Sequence, residues 1–413
     1  MTSTGIHSGI RVAFLVHTFH MGGLERCVAH LLNGLDRDKI SPSLICLNRN
    51  GSAAQWLTRS DFPIVEMKKT DGHDWRLPGR LASVFRDLDL NIVHSHNWGT
   101  LLETALARRK AKGIRHVHAE RGTVFGGSQP GVIKGWVNRH VFRWALSSCD
   151  AVLAVAEDVA QRVVSASGFA ASRIQVIPNG VAVPPCPDRA QARRSIRAEL
   201  GIEEQAIVFG SVGRLVEVKC YDLAIRAVQN LPVDAHLLLV GEGPEQDRLQ
   251  ALARELGLDR RVHFAGRQSG IGPWMAAMDV YINCSRSEGM SQSILEAMGF
   301  GLPEVVTDVG DSRRLVGGDD GCGVIVPPND VNQLTQALSI VASDPGLRND
   351  LAQKGPLRHA QSFALSTMIR KYESIYERLV EPPGSKVPTS HAAAMNETLA
   401  IRAPGGRIEV KTP

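Results

Sequence analysis

Two carboxylates, Glu288 and Glu296, stand with seven residues between them in SEGMSQSILEAMGFGLP, residues 287–303. The turn Glu288-Gly289-Met290-Ser291 follows an apolar run at 280–284, and 293–300 has a helical pattern, so the segment reads as strand, loop and helix N-terminus. First-turn amides of such a helix have no partner inside it and suit a phosphate. The two glutamates accept hydrogen bonds from vicinal hydroxyls on either side of that phosphate. One ligand carrying hydroxyls, a diphosphate and further hydroxyls meets both demands. Gly213 to Lys219, GRLVEVK, ends another strand pattern with two cations, Arg214 and Lys219, five positions apart. A diphosphate leaving group gathers negative charge as it departs, and fixed cations stabilise that charge most in the transition state. Gly22 and Gly23, in HTFHMGGLER after the first strand pattern, let a backbone approach a ligand where a side chain would obstruct.

Alternating β-branched runs and helical patterns must position these groups. Strands are expected at 11–17, 44–47, 64–67, 91–95, 116–119, 151–156 and 175–178, then, after the proline-bearing stretch 183–188, at 207–212, 236–240, 262–265, 280–284, 305–307 and 324–326. This is an α/β chain with two Rossmann-like, doubly wound parallel sheets facing across a cleft, their ligands at strand carboxyl ends. The expected division is 1–185 for an acceptor-side domain and 186–362 for a nucleotide-sugar domain. HMGGLE does not supply the G-x-G-x-x-G of a nicotinamide dinucleotide site.

The SEG, EAM and GxP segments, together with GRLxxxK, GxGP (241–244), VIPNGV (176–181) and GGxER (22–26), resemble glycosyltransferase family 4, retaining enzymes of the GT-B fold, from about Arg11 to Val380. The resemblance implies that Glu288 contacts the donor sugar and Glu296 the nucleotide ribose, with Gly289, Met290 and Ser291 in the loop between. It places Arg214 and Lys219 at the diphosphate, Gly22 and Gly23 beside donor phosphate and acceptor, and Asn179-Gly180 in the interdomain connection. It sets His118, in VHAERG, opposite the donor sugar, with His94 and His96 as weaker candidates. A helix over 363–380 is expected to cross back to the first domain, and 381–413, rich in Pro, Gly, Ser and Ala, to be disordered. Three residues depart from the family pattern: Ser291 replaces a common proline, Cys220 a glycine after Lys219, and Glu304 an apolar strand residue. A carboxylate in a doubly buried strand costs several kcal/mol unless paired or neutralised, so a partner, or a strand starting one residue later, is expected.

The implied activity is transfer of a sugar from a nucleoside diphosphate sugar, UDP ahead of GDP, to a glycan or lipid-linked acceptor hydroxyl in bacterial surface polysaccharide or lipid-linked glycan synthesis. No cofactor and no metal are expected; Asp87-Leu88-Asp89 gives D-x-D, but at a helix-ending turn rather than an ion site. The alternatives are a non-catalytic nucleotide-sugar-binding subunit and a GT-B nucleotide-sugar epimerase.

At 413 residues, 43% hydrophobic and 22% charged, the chain suits two globular domains. No apolar run spans a membrane and the N-terminus lacks a signal-peptide pattern, so a cytoplasmic protein is expected. Seven scattered cysteines without metal spacing read as reduced thiols. Residues 1–187 hold 22 Lys+Arg against 14 Asp+Glu, hence +8, and the remainder 25 against 28, hence −3. The basic half contains VIKGWVNRHVFRWAL (132–146), which mixes Lys134, Arg139 and Arg143 with Trp136, Phe142 and Trp144; it is either a core-packed helix or a peripheral contact with the inner membrane surface. No basic run is dense enough for nucleic acid.

Overall fold

The computed structural model describes residues 9–70, 72, 74–122, 132–317 and 321–381, the side chains of 132–135 excepted. The tail expected to be disordered lies outside the described residues from 382 onward.

Two parallel sheets form the molecule. The first contains β1 (Ile10–Val16), β2 (Ile40–Cys46), β3 (Ile64–Glu66), β4 (Ile92–His96), β5 (Arg115–Glu120), β6 (Ala151–Ala154) and β7 (Ile174–Val176) in the order β3-β2-β1-β4-β5-β6-β7. The second contains β8 (Ile207–Val212), β9 (Ala235–Val240), β10 (Val262–Gly266), β11 (Val280–Asn283), β12 (Glu304–Thr307) and β13 (Gly323–Val326) in the order β10-β9-β8-β11-β12-β13. Helices cover both faces, which is why the strands are continuous apolar runs rather than alternating ones. The strand order reverses between β1 and β4 and between β8 and β11. In open parallel sheets, ligands gather at such reversals, beyond the strand carboxyl ends.

The chain crosses between domains twice. Val181 donates its amide to Phe363 and accepts one from Leu365, at 3.0 and 3.1 Å, so outgoing connection and returning chain run side by side. The helix Leu365–Val380 then buries Met368, Ile369, Tyr372, Ile375 and Tyr376 against Phe14, Leu31 and Ile92 of the first domain. Phe363, two residues before that helix, still packs with the second domain.

Glu304 begins β12 itself, between Tyr281 of β11 and Gly323 of β13, and has no exposed surface. Its strand does not start later, and its partner is not a cation: Cys322 Sγ donates to Oε2 at 3.8 Å. Burial pushes the carboxyl well above the usual carboxylate range, so the cost is met by neutralisation. Cys220 adopts φ 48° and ψ 42°, a left-handed conformation that favours glycine. Its turn is held by Cys284 Sγ, which donates to the carbonyl oxygen of Cys220 at 3.1 Å. Asp89 pairs with Arg11 at 2.9 Å, and among the described residues no cluster of three or more His, Cys, Asp or Glu could hold a metal. The helix Val132–Ser147 buries Phe142, Ala145 and Leu146 but leaves Trp136 63% and Trp144 38% exposed, so it is only partly a core helix.

Candidate functional site

Three segments leave strands of the two reversals, β8, β11 and β1, and meet between the domains, and the turn after β9 supports one of them. After β8, the loop 213–220 carries Arg214 and Lys219. The turn Gly241 to Pro244 locks it in place, with Leu215 donating to the Glu242 carbonyl at 2.9 Å and Glu245 to the Leu215 carbonyl at 3.0 Å. Gly241 is required here: its φ is 146°, and a Cβ would lie 1.9 Å from the Gly213 carbonyl oxygen. The GxGP turn thus supports the cation loop.

After β11, Glu288 is gripped on one oxygen. Its Oε1 accepts from Lys219 Nζ at 2.5 Å, Ser285 Oγ at 2.7 Å and Asn283 Nδ2 at 3.4 Å. The pair is 19% and 15% exposed, dry enough to strengthen it yet open to a ligand. The helix Gln292–Phe300 follows with Ser291 at its N-cap. Ser291 does not cap: its Oγ bonds Ser293 Oγ at 3.2 Å, which leaves first-turn amides without a side-chain acceptor. By contrast, Asp188, Asp330 and Asp344 cap helices elsewhere in the second domain with their carboxylates.

After β1, Gly22 stands at the N-cap of the helix Gly23–Gly34, again with no side-chain cap. Two side-chain contacts join that helix to Gln292–Phe300. Gln292 Nε2 donates to the Gly23 carbonyl at 2.6 Å, and Arg26 pairs with Glu296 Oε1. Glu296 is 1% exposed, its Oε2 has no partner among the described residues, and burial raises its pKa against the pull of Arg26. Arg214, exposed at the mouth, lies close enough to Glu25 to offset part of the rise that burial imposes on that carboxyl.

Gly22, Gly23, Arg214, Lys219, Glu288, Gly289, Met290, Ser291 and Glu296 therefore gather at the junction of the two domains, with Met290, Ser291 and Glu296 buried there. His118 is placed elsewhere. β5 runs two residues past it to Glu120, and His118 is fully buried, sharing hydrogen bonds with Ser95 Oγ at 2.8 Å and Glu120 Oε1 at 3.4 Å. His94 and His96 are buried on β4, where desolvation lowers both pKa values. The strand-end position beside the cleft belongs to Arg121, which sequence reading passed over, as it passed over Arg26, Gln292, Asn283 and Ser285. Arg26 and Arg121 were flagged only by lying within GGxER and HAERG.

A family model described as glycosyl transferases group 1 matches residues 192–358, and one described as Glycosyltransferase Family 4 matches 21–183. The lipopolysaccharide core biosynthesis glycosyltransferase LpsE of Rhizobium meliloti is 36% identical over 159 residues, covering 38% of this chain and 46% of that protein. The D-inositol 3-phosphate glycosyltransferase of Kribbella flavida is 32% identical over 234 residues, 53% of this chain and 54% of the relative. The matches thus span about half the length of these curated relatives. Among solved structures, Anabaena HepE in complex with UDP superposes with a TM-score of 0.76 at 21% identity, covering 89% of this chain and all of that one. WaaG, a glycosyltransferase involved in lipopolysaccharide biosynthesis, superposes with 0.66 at 20% identity, covering 88% of this chain and 99% of its own. These likenesses show the GT-B fold.

Proposed function

Because the chain belongs to the group 1 glycosyl transferases, with a family 4 N-terminal half, we propose that it moves a sugar from a nucleoside diphosphate sugar to an acceptor hydroxyl with retention at the anomeric carbon. The observation that carries this reading is the meeting, at one cleft, of the Lys219–Glu288 pair, the uncapped helix N-terminus after Ser291 and the Gly22-Gly23 backbone. Lys219, Arg214 and the helix amides receive the diphosphate and stabilise the charge that grows on it as the glycosidic bond breaks. Glu288, fixed by three donors on one oxygen, accepts sugar hydroxyls, and Glu296 accepts from the ribose once the domains open enough to reach its buried, unpartnered Oε2. With Glu288 engaged in this way, we favour a front-face reaction in which the departing phosphate takes the acceptor's proton; a trapped glycosyl adduct on Glu288 would overturn it. The cations and helix amides do this without a metal or cofactor.

HepE complexes with UDP and with UDP-glucose favour a UDP sugar. Relatives acting in lipopolysaccharide core biosynthesis favour a lipid-linked glycan acceptor. No helix among the described residues is long and apolar enough to cross a membrane. The basic N-terminal half, with Trp136, Val137 and Trp144 exposed on one helix, suits cytoplasmic action at an anionic bilayer surface. A donor-binding subunit without transfer activity is the second reading, favoured by the burial of His118 away from the cleft.

The test is thermal stabilisation across UDP-, GDP- and ADP-sugars, for the wild type and Glu296→Ala. Ligand at about 100 times its Kd adds about 2.7 kcal/mol to stability. A UDP-sugar shift that the variant loses is expected; no shift with any nucleotide would sink the donor site. Transfer to a glycolipid acceptor separates enzyme from binding subunit.

A further inference from the structure

We infer that Arg121 is a positioning residue that sets the loop 288–291 through the interdomain connection, an inference that rests on the reading of that loop as the donor site. Arg121 follows the last residue of β5, and its half-buried guanidinium has no carboxylate within ion-pair distance among the described residues. A buried cation in that situation costs several kcal/mol unless its N–H groups are satisfied. Three of its five N–H groups donate to neutral acceptors on three separate segments. Nη1 donates to Asn179 Oδ1 at 3.1 Å, Nη2 to Tyr372 Oη at 2.8 Å and Nε to His96 Nδ1 at 3.3 Å. Its backbone amide is fixed as well, donating to Asn97 Oδ1 at 2.9 Å. Asn179 lies in the outgoing connection and Tyr372 in the returning helix, so one guanidinium ties both crossings to the cleft end of the first sheet. Burial keeps His96 neutral and able to accept, and holds Tyr372 as a phenol with its pKa pushed up to about 12.

The link continues into the donor loop. Asn179 Nδ2 donates to the Met290 carbonyl at 3.3 Å, and its backbone amide contacts Met290 Sδ at 3.1 Å. The Arg121 carbonyl oxygen lies 3.0 Å from where a Cβ on Gly289 would stand, so only glycine fits there without displacement. Arg121 thus touches the loop directly through its backbone and indirectly through Asn179, two residues from Glu288. Holding three acceptors in fixed directions requires the planar fork of arginine, not merely a positive charge.

The test uses the full chain with Arg121→Gln, Arg121→Lys, Asn179→Ala and the double Arg121→Gln/Asn179→Ala. Amide exchange in peptides covering 288–292 is read without ligand. Each single variant is expected to speed exchange there on the order of tenfold, the size of one lost charge-assisted hydrogen bond. The double should do no more than either single, and peptides from the remote helix Gln246–Glu255 should not change. Turnover of the UDP sugar should fall about tenfold in the singles while UDP affinity, held by Glu296, stays within about threefold. A general loosening would move both, and would lower Tm. Unchanged loop exchange, additive effects in the double, or full rescue by Arg121→Lys would overturn the assignment. Should Arg121→Gln fail to fold, Arg121→Lys and Asn179→Ala decide the outcome together. If the wild type bound no nucleotide sugar, the functional reading would fall, while the exchange data would still decide the coupling.

Discussion

Replacing Glu304 by glutamine should change how stability depends on pH, in a direction the structure dictates. Glu304 starts β12 with neighbouring strands on both sides; its Oε2 accepts only from the Cys322 thiol and its Oε1 has no partner among the described residues. Desolvation raises its folded pKa well above the usual range, with only the Cys322 contact and the charge of Arg358 opposing. The unfolded carboxyl titrates near 4.3. Between these two values the folded state holds a proton that the unfolded chain has lost. The stability Glu304 contributes is therefore complete below about pH 4.3 and is lost as pH rises toward the folded pKa, at about 1.4 kcal/mol per pH unit. Glutamine carries no such proton. It keeps an acceptor for Cys322 but adds an amide donor without a partner, a cost of about 1–3 kcal/mol at every pH. Stability of Glu304→Gln relative to wild type should thus start negative at pH 5 and gain about 2.7 kcal/mol over two pH units. For the transition of a domain this size that corresponds to roughly 5–11 °C in Tm. Urea unfolding of both proteins at pH 5, 6 and 7, followed through the second-domain transition, measures the difference directly. A difference that stays flat would mean Glu304 is ionised in the native state, with Arg358 as counter-ion, and would refute the burial argument.

Lys219→Met removes the cation beside the departing phosphate while Ser285 and Asn283 still hold Glu288. Turnover should fall about 10²–10³-fold in steady-state assays, the usual loss for one transition-state donor; activity within threefold of wild type would take Lys219 out of that role. Cys220→Gly relieves a left-handed residue, a strain of about 1–2 kcal/mol, offset in part by the greater freedom of glycine when unfolded. Denaturant unfolding should show a gain of up to about 1 kcal/mol, and a loss would show that the thiol's contacts with the Glu217 and Val218 carbonyls outweigh the strain. Replacing Trp136 and Trp144 together by serine should weaken co-sedimentation with anionic vesicles about tenfold or more without altering UDP affinity. Equal binding of wild type and variant would take this helix out of any membrane contact.

The sheets were legible because strands buried on both faces must be apolar along their whole length, and that pattern survives without any knowledge of neighbours. All thirteen expected strands are present, and only their ends move; β2 begins at Ile40 rather than at 44. End positions matter most where a functional side chain sits at one. His118 is expected near the cleft end of a strand over 116–119, but β5 continues to Glu120 and the histidine is fully buried against Ser95. RHVHAE offers no turn residue to mark its end, so neither periodicity nor punctuation could have located it.

The cross-cleft partners were illegible for a different reason. Arg26 and Glu296 are 270 positions apart, and nothing in either helix requires the other. Each helix already satisfies its own pattern: Gly23–Gly34 buries Cys27, Val28, Leu31 and Leu32, and Gln292–Phe300 buries Ile294, Leu295 and Met298. Arg26, Gln292 and Glu296 are polar residues beside those apolar faces, where a helix on its own would present them to solvent. The same holds for Arg121, a cation at the end of a strand whose hydrogen bonds are complete without it. Glu304 follows the opposite logic, since its oddity was visible in the strand pattern while its resolution, a protonated carboxyl beside a thiol, depended on Cys322, 18 positions away. Polar residues that their own element does not need therefore separate into two kinds once the fold is known. Those at the carboxyl ends of central strands or on the helices that follow reach across the cleft, and those within a buried strand are neutralised where they stand.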